Sequence, residues 1–246
     1  MTTAVIVQAR LGSTRLPGKV LELLAGQSVL AHVLKRCQTI KNADFVVCAV
    51  PEGPADDPIA LEVERCGCAV FRGSEQDVLA RYHGAATNVG ADWILRVTAD
   101  CPLIDPKVCA DVIDLAQAES AAYACNNNPP SWPHGLDCEC VPFAWLDRAF
   151  HEAQKPFERE HVMPFIRNHS EAKLANLPCP EGDLTGHRWT LDEAADLAFM
   201  RAVFEDDVPP GGWDFRSTLR FLADRPDISA LNAGVSTPSY HKAKKP

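Results

Sequence analysis

The chain has no apolar run of membrane-spanning length and no apolar leader, since Met1-Thr2-Thr3 passes straight into a short strand-like stretch. Both absences predict a cytoplasmic protein with no membrane partner. There is no basic excess either. The 33 acids outnumber the 24 lysines and arginines and give a net charge of -9, which excludes a general nucleic-acid binder. No internal repeat is present. Cysteine is abundant, at ten in 246 residues, but zinc spacing is missing. Cys66-Gly67-Cys68 and Cys138-Glu139-Cys140 have one-residue spacers where zinc pairs have about two to four. No histidines stand in His-x-x-x-His spacing. In a reducing compartment, thiols at apolar positions such as Cys37, Cys48 and Cys109 read as buried packing groups.

What is present is an ordinary globular composition, 46% hydrophobic and 23% charged, in a chain long enough to bury a full core. Apolar runs that read as strands lie at Ala4-Val7, Phe45-Val50, Ala69-Phe71 and Trp93-Thr98. Helical patterns lie between and after them. Ser28 reads as an N-cap before Val29, Leu30, Val33, Leu34 and Cys37. Asp56-Asp57-Pro58 reads as a capped helix start, a helix runs from about Asp77 to Ala86, and Asp105-Pro106 opens another. Strand–helix alternation from residue 4 to 118 predicts an α/β fold with a mostly parallel central sheet flanked by helices. Ligands in such folds bind at the carboxyl ends of the strands.

The pattern then changes. An excursion of about 127–170 begins in a turn-rich loop, Asn126-Asn127-Asn128-Pro129-Pro130-Ser131-Trp132-Pro133-His134-Gly135. Leu136–Val141 reads as a strand, Pro142 to about Gln154 as a helix and Ala172–Leu177 as an edge strand. A last helix buries Leu197, Met200 and Phe204. Residues 1–230 read as one domain. Residues 231–246, ending Lys242-Ala243-Lys244-Lys245-Pro246, read as a polar, flexible tail.

Chemistry concentrates at the end of the first strand. Gln8-Ala9-Arg10-Leu11-Gly12-Ser13-Thr14-Arg15-Leu16-Pro17-Gly18-Lys19 holds two glycines and three cations with no acid. Its backbone N–H groups can form a nest around a polyphosphate, with Arg10, Arg15 and Lys19 adding charge. It is not a Walker A loop, because no Gly-Lys-Ser/Thr follows. Taken alone it reads equally as a solvated basic turn. Asp100, at the end of the fourth strand, falls on the same sheet edge. Asp105 is better placed to cap the next helix, which leaves Asp100 free to share a magnesium ion with phosphate oxygens. Asp192 closes Arg188-Trp189-Thr190-Leu191-Asp192 and reads either as a helix N-cap or as a second metal carboxylate. His134, Asp137, Glu139, Arg159, Glu160 and His161 form a polar group that reads as a zinc site, a solvated charged helix or a mixed case. In the mixed case Arg159 and His161 face the crevice and Glu158 faces water.

Together these residues resemble a known family. Val5 to Leu21 is similar to the N-terminal signature of cytidylyltransferases of the SpsF type, relatives of the CMP-sialic acid and CMP-Kdo synthetases. The likeness continues through Phe71-Arg72-Gly73-Ser74, Asp77-Val78-Leu79-Ala80-Arg81-Tyr82 and Arg96-Val97-Thr98-Ala99-Asp100-Cys101-Pro102. It is completed by His134-Gly135-Leu136-Asp137, Arg159-Glu160-His161-Val162 and Arg188 to Asp192, so that it spans about residues 4–206. Glu193 stands where relatives often carry threonine, and so does Met163.

The resemblance implies a GT-A-like, Rossmann-like nucleotidyltransferase fold, a homodimer, and an excursion serving substrate and dimer contacts. It implies magnesium-dependent transfer of CMP from CTP to an acidic or amino sugar for surface polysaccharide, with release of pyrophosphate. The triphosphate falls on Ala9, Arg10, Gly12, Ser13, Arg15 and Lys19, with Arg10 and Lys19 stabilising the leaving group. Magnesium falls on Asp100 and Asp192. Arg72, Asp77 and Arg81 are the candidates for cytidine, and His134, Asp137, Arg159 and His161 for the sugar. Two rivals stand beside this reading. A glycosyltransferase of the same fold would carry Asp-x-Asp where the chain reads Thr98-Ala99-Asp100, and a non-catalytic nucleotide binder would release no pyrophosphate. Two loop expectations follow. Neutralising Asp100 relieves a repulsion with Asp192 and keeps or raises stability, and removing Lys19 or Arg10 leaves the fold intact.

Overall fold

Every second residue of the first strand turns to a different core, and that alternation generates the layers. In β1 (Thr3–Gln8), Val5 and Val7 face one side of the sheet while Ala4 and Ile6 face the other, all fully buried. The computed structural model describes residues 1–205 and 212–236. A small hairpin, β2 (Leu23–Leu24) with β3 (Gln27–Ser28), leads into α1 (Val29–Cys37). Then come β4 (Phe45–Pro51), α2 (Asp57–Arg65), β5 (Ala69–Gly73), α3 (Val78–Asn88), β6 (Trp93–Thr98) and α4 (Pro106–Ala118). On one face α1, α2 and α4 bury Leu34, Val63 and Val112; on the other α3 buries Leu79 and Tyr82. The expected alternation is therefore present, with helices on both faces.

The second half adds β7 (Tyr123–Cys125), β8 (Glu139–Pro142), α5 (Phe143–Glu152), α6 (Pro156–His161), α7 (Pro164–Arg167) and β9 (Leu174–Asn176). After these come α8 (Ala194–Glu205), α9 (Phe215–Asp224) and α10 (Pro226–Ser229). The seven strands are ordered β5-β4-β1-β6-β8-β7-β9, and only β8 pairs antiparallel to its neighbours. β9 is the edge strand, as its sequence indicates. From β1 the chain builds outward to β5 and returns to place β6 on the other side of β1, so the strand order reverses between β1 and β6. That reversal opens a crevice at the carboxyl edge. β1 and β6 are in register to their ends, Gln8 opposite Thr98, so the segments after them leave side by side.

Local capping explains where several helices start. The Ser28 hydroxyl accepts from Ala31 N–H (3.0 Å), Asp77 from Ala80 N–H (2.9 Å) and Asp105 from Lys107 N–H (2.8 Å). Each such cap contributes about 1 kcal/mol. Asp105 thus holds the role its position suggests. Asp56 does not cap α2. Its carboxylate, 7% exposed, accepts from Leu11 N–H at 2.7 Å and ties the basic loop to the scaffold. All ten cysteines are free thiols and eight are buried, with burial raising thiols such as Cys48 and Cys140 far above their usual range.

A third core joins Trp189, Leu191, Phe199, Met200 and Phe215 to Leu24 and Val29, and brings the C-terminal segment against the carboxyl edge of the sheet. The packed chain continues past residue 230. Asn232, 5% exposed, donates to the Arg188 carbonyl at 2.9 Å. The lysine-rich end at residues 242–246 lies outside the described residues.

One glycine is irreplaceable here. His134 N–H donates to the His187 carbonyl (2.9 Å) and Trp189 N–H to the His134 carbonyl (2.6 Å), which lays residues 187–190 against the loop that carries His134. Gly135 sits in this seam at φ +112°, and a Cβ there would lie 2.3 Å from the Trp189 carbonyl oxygen. Gly135→Ala should therefore cost about 3 kcal/mol, read by urea denaturation. A loss under about 0.5 kcal/mol would mean that the seam is loose.

Candidate active site

The carboxyl edge between β1 and β6 brings three distant charges together. The Lys19 ammonium, 12% exposed, donates to Asp100 Oδ2 and to Asp192 Oδ1, both at 2.8 Å. Asp100 follows β6 directly, and Thr98 donates to its Oδ1 at 2.6 Å. Asp192 is delivered by backbone pairing, since Leu191 N–H donates to the Asp100 carbonyl at 2.8 Å. Gly18, in the left-handed region at φ 71°, turns the basic loop so that Lys19 enters the crevice.

The electrostatics follow from that triangle. Burial alone would push the Asp100 carboxyl up, but the Lys19 charge and the hydrogen bonds from Lys19 and Thr98 hold it well below the usual carboxylate range. Burial alone would lower Lys19, and its two carboxylates together raise it. Lys19 is thus an ion-paired, largely buried cation. Its removal is therefore expected to cost stability, and the expectation of bare repulsion between Asp100 and Asp192 is corrected, because Lys19 lies between them.

Asp192 has further partners. Arg15 NH2 lies 3.1 Å from its Oδ1, and Arg188 NH2 donates to its Oδ2 at 3.1 Å. Asp192 does not cap α8. Asp196 instead accepts the backbone N–H groups of Asp192 and Glu193, each at 3.0 Å. As a site for a divalent ion the arrangement is chemically suited, because Asp100 and Asp192 both aim an oxygen at one cationic nitrogen. Among the described residues no three His, Cys, Asp or Glu side chains gather in metal-binding geometry. Two carboxylates completed by phosphate oxygens are a donor set that suits magnesium.

Beside this triangle lies a polar cavity of about 200 Å3, lined among others by Arg15, Asp100, His134, Asp137, His161 and Asp192. These are six of the side chains expected at a site. His134 Nδ1 is 3.0 Å from Asp137 Oδ2, and Gly135 N–H donates to the same oxygen at 2.9 Å. Burial lowers the His161 imidazole and so favours its neutral form.

Arg159 does not join them. Its guanidinium is engaged by Asp77 (Nε at 3.0 Å from Oδ2) and by the Phe150 carbonyl (2.6 Å), which ties α6 to the start of α3. On α6 it is Phe157 and His161, four residues apart, that face the cavity, and Arg159 points the other way. Met163 N–H donates to the His161 carbonyl (2.8 Å) across Val162, whose φ of 67° and ψ of -60° make a strained γ-turn at the cavity wall.

The residues expected around the nucleotide divide similarly. Arg10 and Gly12 are exposed on the loop. Ser13 is half-buried, and its hydroxyl accepts from Leu16 N–H at 3.4 Å. Ala9 is a core residue, with its N–H on the Ala49 carbonyl at 3.3 Å. Arg72 is engaged by the Pro51 and Gly53 carbonyls and by Asp57, and Asp77 by the α3 cap and Arg159. Arg81 differs. It is fully buried and donates through NH1 to the Ser74 and Glu75 carbonyls, while its Nε and NH2 find no partner among the described residues. Burial, then the nearby Arg10 charge among smaller influences, lowers its guanidinium.

Sequence reasoning missed one pair inside the cavity. Arg96 NH1 donates to Glu139 Oε2 at 2.5 Å, and Tyr123 OH to Glu139 Oε1 at 2.7 Å. The two face each other in the β6–β8 register. The signal was available, as a lone arginine inside Trp93-Ile94-Leu95-Arg96-Val97 and a lone acid inside Cys138-Glu139-Cys140-Val141. Opposite charges in two apolar strands imply pairing.

Comparison with known proteins agrees with this geometry. The family model described as Cytidylyltransferase matches residues 4–181. The chain is 31% identical over 232 residues to the spore coat polysaccharide biosynthesis protein SpsF of Bacillus subtilis, covering 92% of this chain and 89% of that one. The structure of a cytidylyltransferase from Leptospira borgpetersenii superposes with a TM-score of 0.88 at 29% identity, covering 93% of this chain and 97% of that one. A CMP:2-keto-3-deoxy-manno-octonic acid synthetase solved with CTP shares the fold, with a TM-score of 0.63 at 16% identity over 83% of this chain and 99% of that one. The chain is a nucleotidyltransferase and belongs to the cytidylyltransferase family.

Proposed function

We propose that this protein transfers CMP from CTP to an acidic or amino sugar and releases pyrophosphate, in a dimeric, cytoplasmic, magnesium-dependent enzyme. The observation that supports this most is the Lys19 ammonium held between Asp100 and Asp192 beside a polar cavity. Asp100 and Asp192 would hold the magnesium ion, which supplies charge neutralisation at the phosphates when bound. The chain's own groups do the rest. Arg10, Arg15 and Lys19 take the triphosphate and the charge that develops on the departing pyrophosphate. Gly12 and Ser13 let the loop backbone approach the phosphates. His134, Asp137 and His161 orient the sugar so that its oxygen meets the α-phosphorus in line. Arg81, with buried donors still unengaged, is the candidate on the cytidine side. A monomer by light scattering would remove the dimer from this reading without touching the chemistry.

Three outcomes test it. CTP at a hundred times its dissociation constant should stabilise the fold by about 2.7 kcal/mol, far more than equal ATP or GTP. Equal melting shifts with all triphosphates would leave only a general phosphate loop.

Lys19→Ala should cost about 2 kcal/mol of stability, because it leaves two facing carboxylates without their shared cation. Arg10→Ala, at an exposed position, should change stability by less than about 0.5 kcal/mol. Both should weaken triphosphate binding by calorimetry, and unchanged binding in both would take the loop out of the site.

Asp100→Asn should lower pyrophosphate release at saturating CTP by about a hundredfold while CTP affinity falls far less. Its stability should fall by about 1 kcal/mol at pH 7, since a charge-assisted bond from Lys19 is lost. The sign with pH is fixed. Asp100 has a folded pKa below its unfolded value of about 4, so its contribution is complete above that value and is lost as pH falls toward the folded one. Urea denaturation between about pH 5 and 3 should therefore show the parent losing stability more steeply than Asp100→Asn. Parallel slopes and near-normal turnover would place the cation elsewhere.

A further inference from the structure

Asp192 is shared between two environments. Its Oδ1 faces Lys19 and Arg15, while its Oδ2 takes one bond from Arg188 NH2 at 3.1 Å. A guanidinium next to a carboxylate normally closes on it with two parallel bonds, which here would turn both Asp192 oxygens away from the crevice. Arg188 is prevented from doing so by Asp196. That carboxylate, 0% exposed, takes Arg188 Nε on Oδ1 at 2.8 Å and Arg188 NH2 on Oδ2 at 2.9 Å, occupying the fork from behind.

Asp196 also holds the backbone on which Asp192 stands, accepting the N–H groups of Asp192 and Glu193 at 3.0 Å each. Asn232 completes the set. Its Nδ2 donates to Asp196 Oδ1 at 3.1 Å and to the Arg188 carbonyl at 2.9 Å. Five donors converge on one buried carboxylate, which saturates its acceptor positions and fixes its rotamer. If Asp196 served only to finish the helix start, the two backbone bonds would suffice. The Arg188 and Asn232 contacts exceed that need and lead to Asp192. Asn232, Asp196 and Arg188 all lie beyond residue 181, where the family match ends.

We propose that Asp196, acting through Arg188 and braced by Asn232, is a positioning residue that keeps one oxygen of Asp192 turned toward Lys19 and Asp100 to receive a divalent cation. The inference rests on the cation-dependent reading above. Neutralising Asp196 releases the Arg188 fork, which closes on Asp192 and competes with the cation. Removing Asn232 loosens the brace and has the same sign with a smaller size.

The test is Mn2+ binding to the full chain in the presence of CTP and without sugar, read from the free-ion electron paramagnetic resonance signal alongside thermal melting. Asp196→Asn should weaken Mn2+ by about tenfold or more, as loss of an outer support for a metal ligand does, and Asn232→Ala by about threefold. In an Asp192→Asn background neither change should weaken Mn2+ further, because the residue they act through is already neutral. Asn232→Ala truncates a single amide and serves if Asp196→Asn does not fold. Lower melting temperatures with parental Mn2+ affinity, or equal weakening in the Asp192→Asn background, would overturn the proposal and leave a structural role alone. A parent that binds no Mn2+ with CTP would overturn the cation reading itself, and this inference with it.

Discussion

Three charges from residues 19, 100 and 192 meet within hydrogen-bond distance of one nitrogen, and the rest of the catalytic edge is arranged to make that tolerable. Two carboxylates brought this close in a half-buried crevice need a cation between them to offset their repulsion. Lys19 supplies it in the free protein. Its placement requires the left-handed turn at Gly18, and the pairing of Leu191 with the Asp100 carbonyl brings the third charge within reach. Two acids arranged around one positive charge form a preorganised electrostatic site at the carboxyl edge.

The sheet explains why those particular positions meet. β1 and β6 are neighbours although about 90 residues of register separate them in sequence, because the chain winds outward and then returns to the other side of its first strand. The segments leaving their ends share one crevice. The third core, built on Trp189, Leu191 and Phe199, presses the Arg188–Asp192 segment onto that crevice from outside the sheet.

Much of this was legible from residues alone. The strand–helix alternation follows directly from apolar periodicity, and Asp105 as a cap left Asp100 without a structural task. Contacts across the fold were not legible. Helical phase places Phe157 with His161 and turns Arg159 toward Asp77, but the ends of α6 are set by packing and its phase was not visible beforehand. Asp56 precedes a helix and looks like its cap, yet the Leu11 N–H lies nearer its carboxylate, and no local pattern records a partner 45 residues away. The net balance of charge around Asp100 and Asp192 was not legible for a similar reason. Repulsion between two acids is written in the sequence, whereas the lysine between them is a fact of three dimensions. Asp196 carries no local signal of its role, since burial of a charge shows only when its donors are in place.

The reversed direction of β8 separates the two walls of the site. Because it runs against β6, it begins at the catalytic edge, and the loop at 126–138 both leaves β7 and returns to β8 at that edge. That loop joins β7 to β8, whereas the basic loop and Asp100 follow β1 and β6, and within the loop Gly135 and its seam with Trp189 are fixed. The architecture therefore divides constraint between its halves. The basic loop and Asp100 hang on paired strands whose drift would disturb the whole sheet, while His134 and Asp137 hang on a connecting loop that can change outside its Gly135 seam without shifting that pairing.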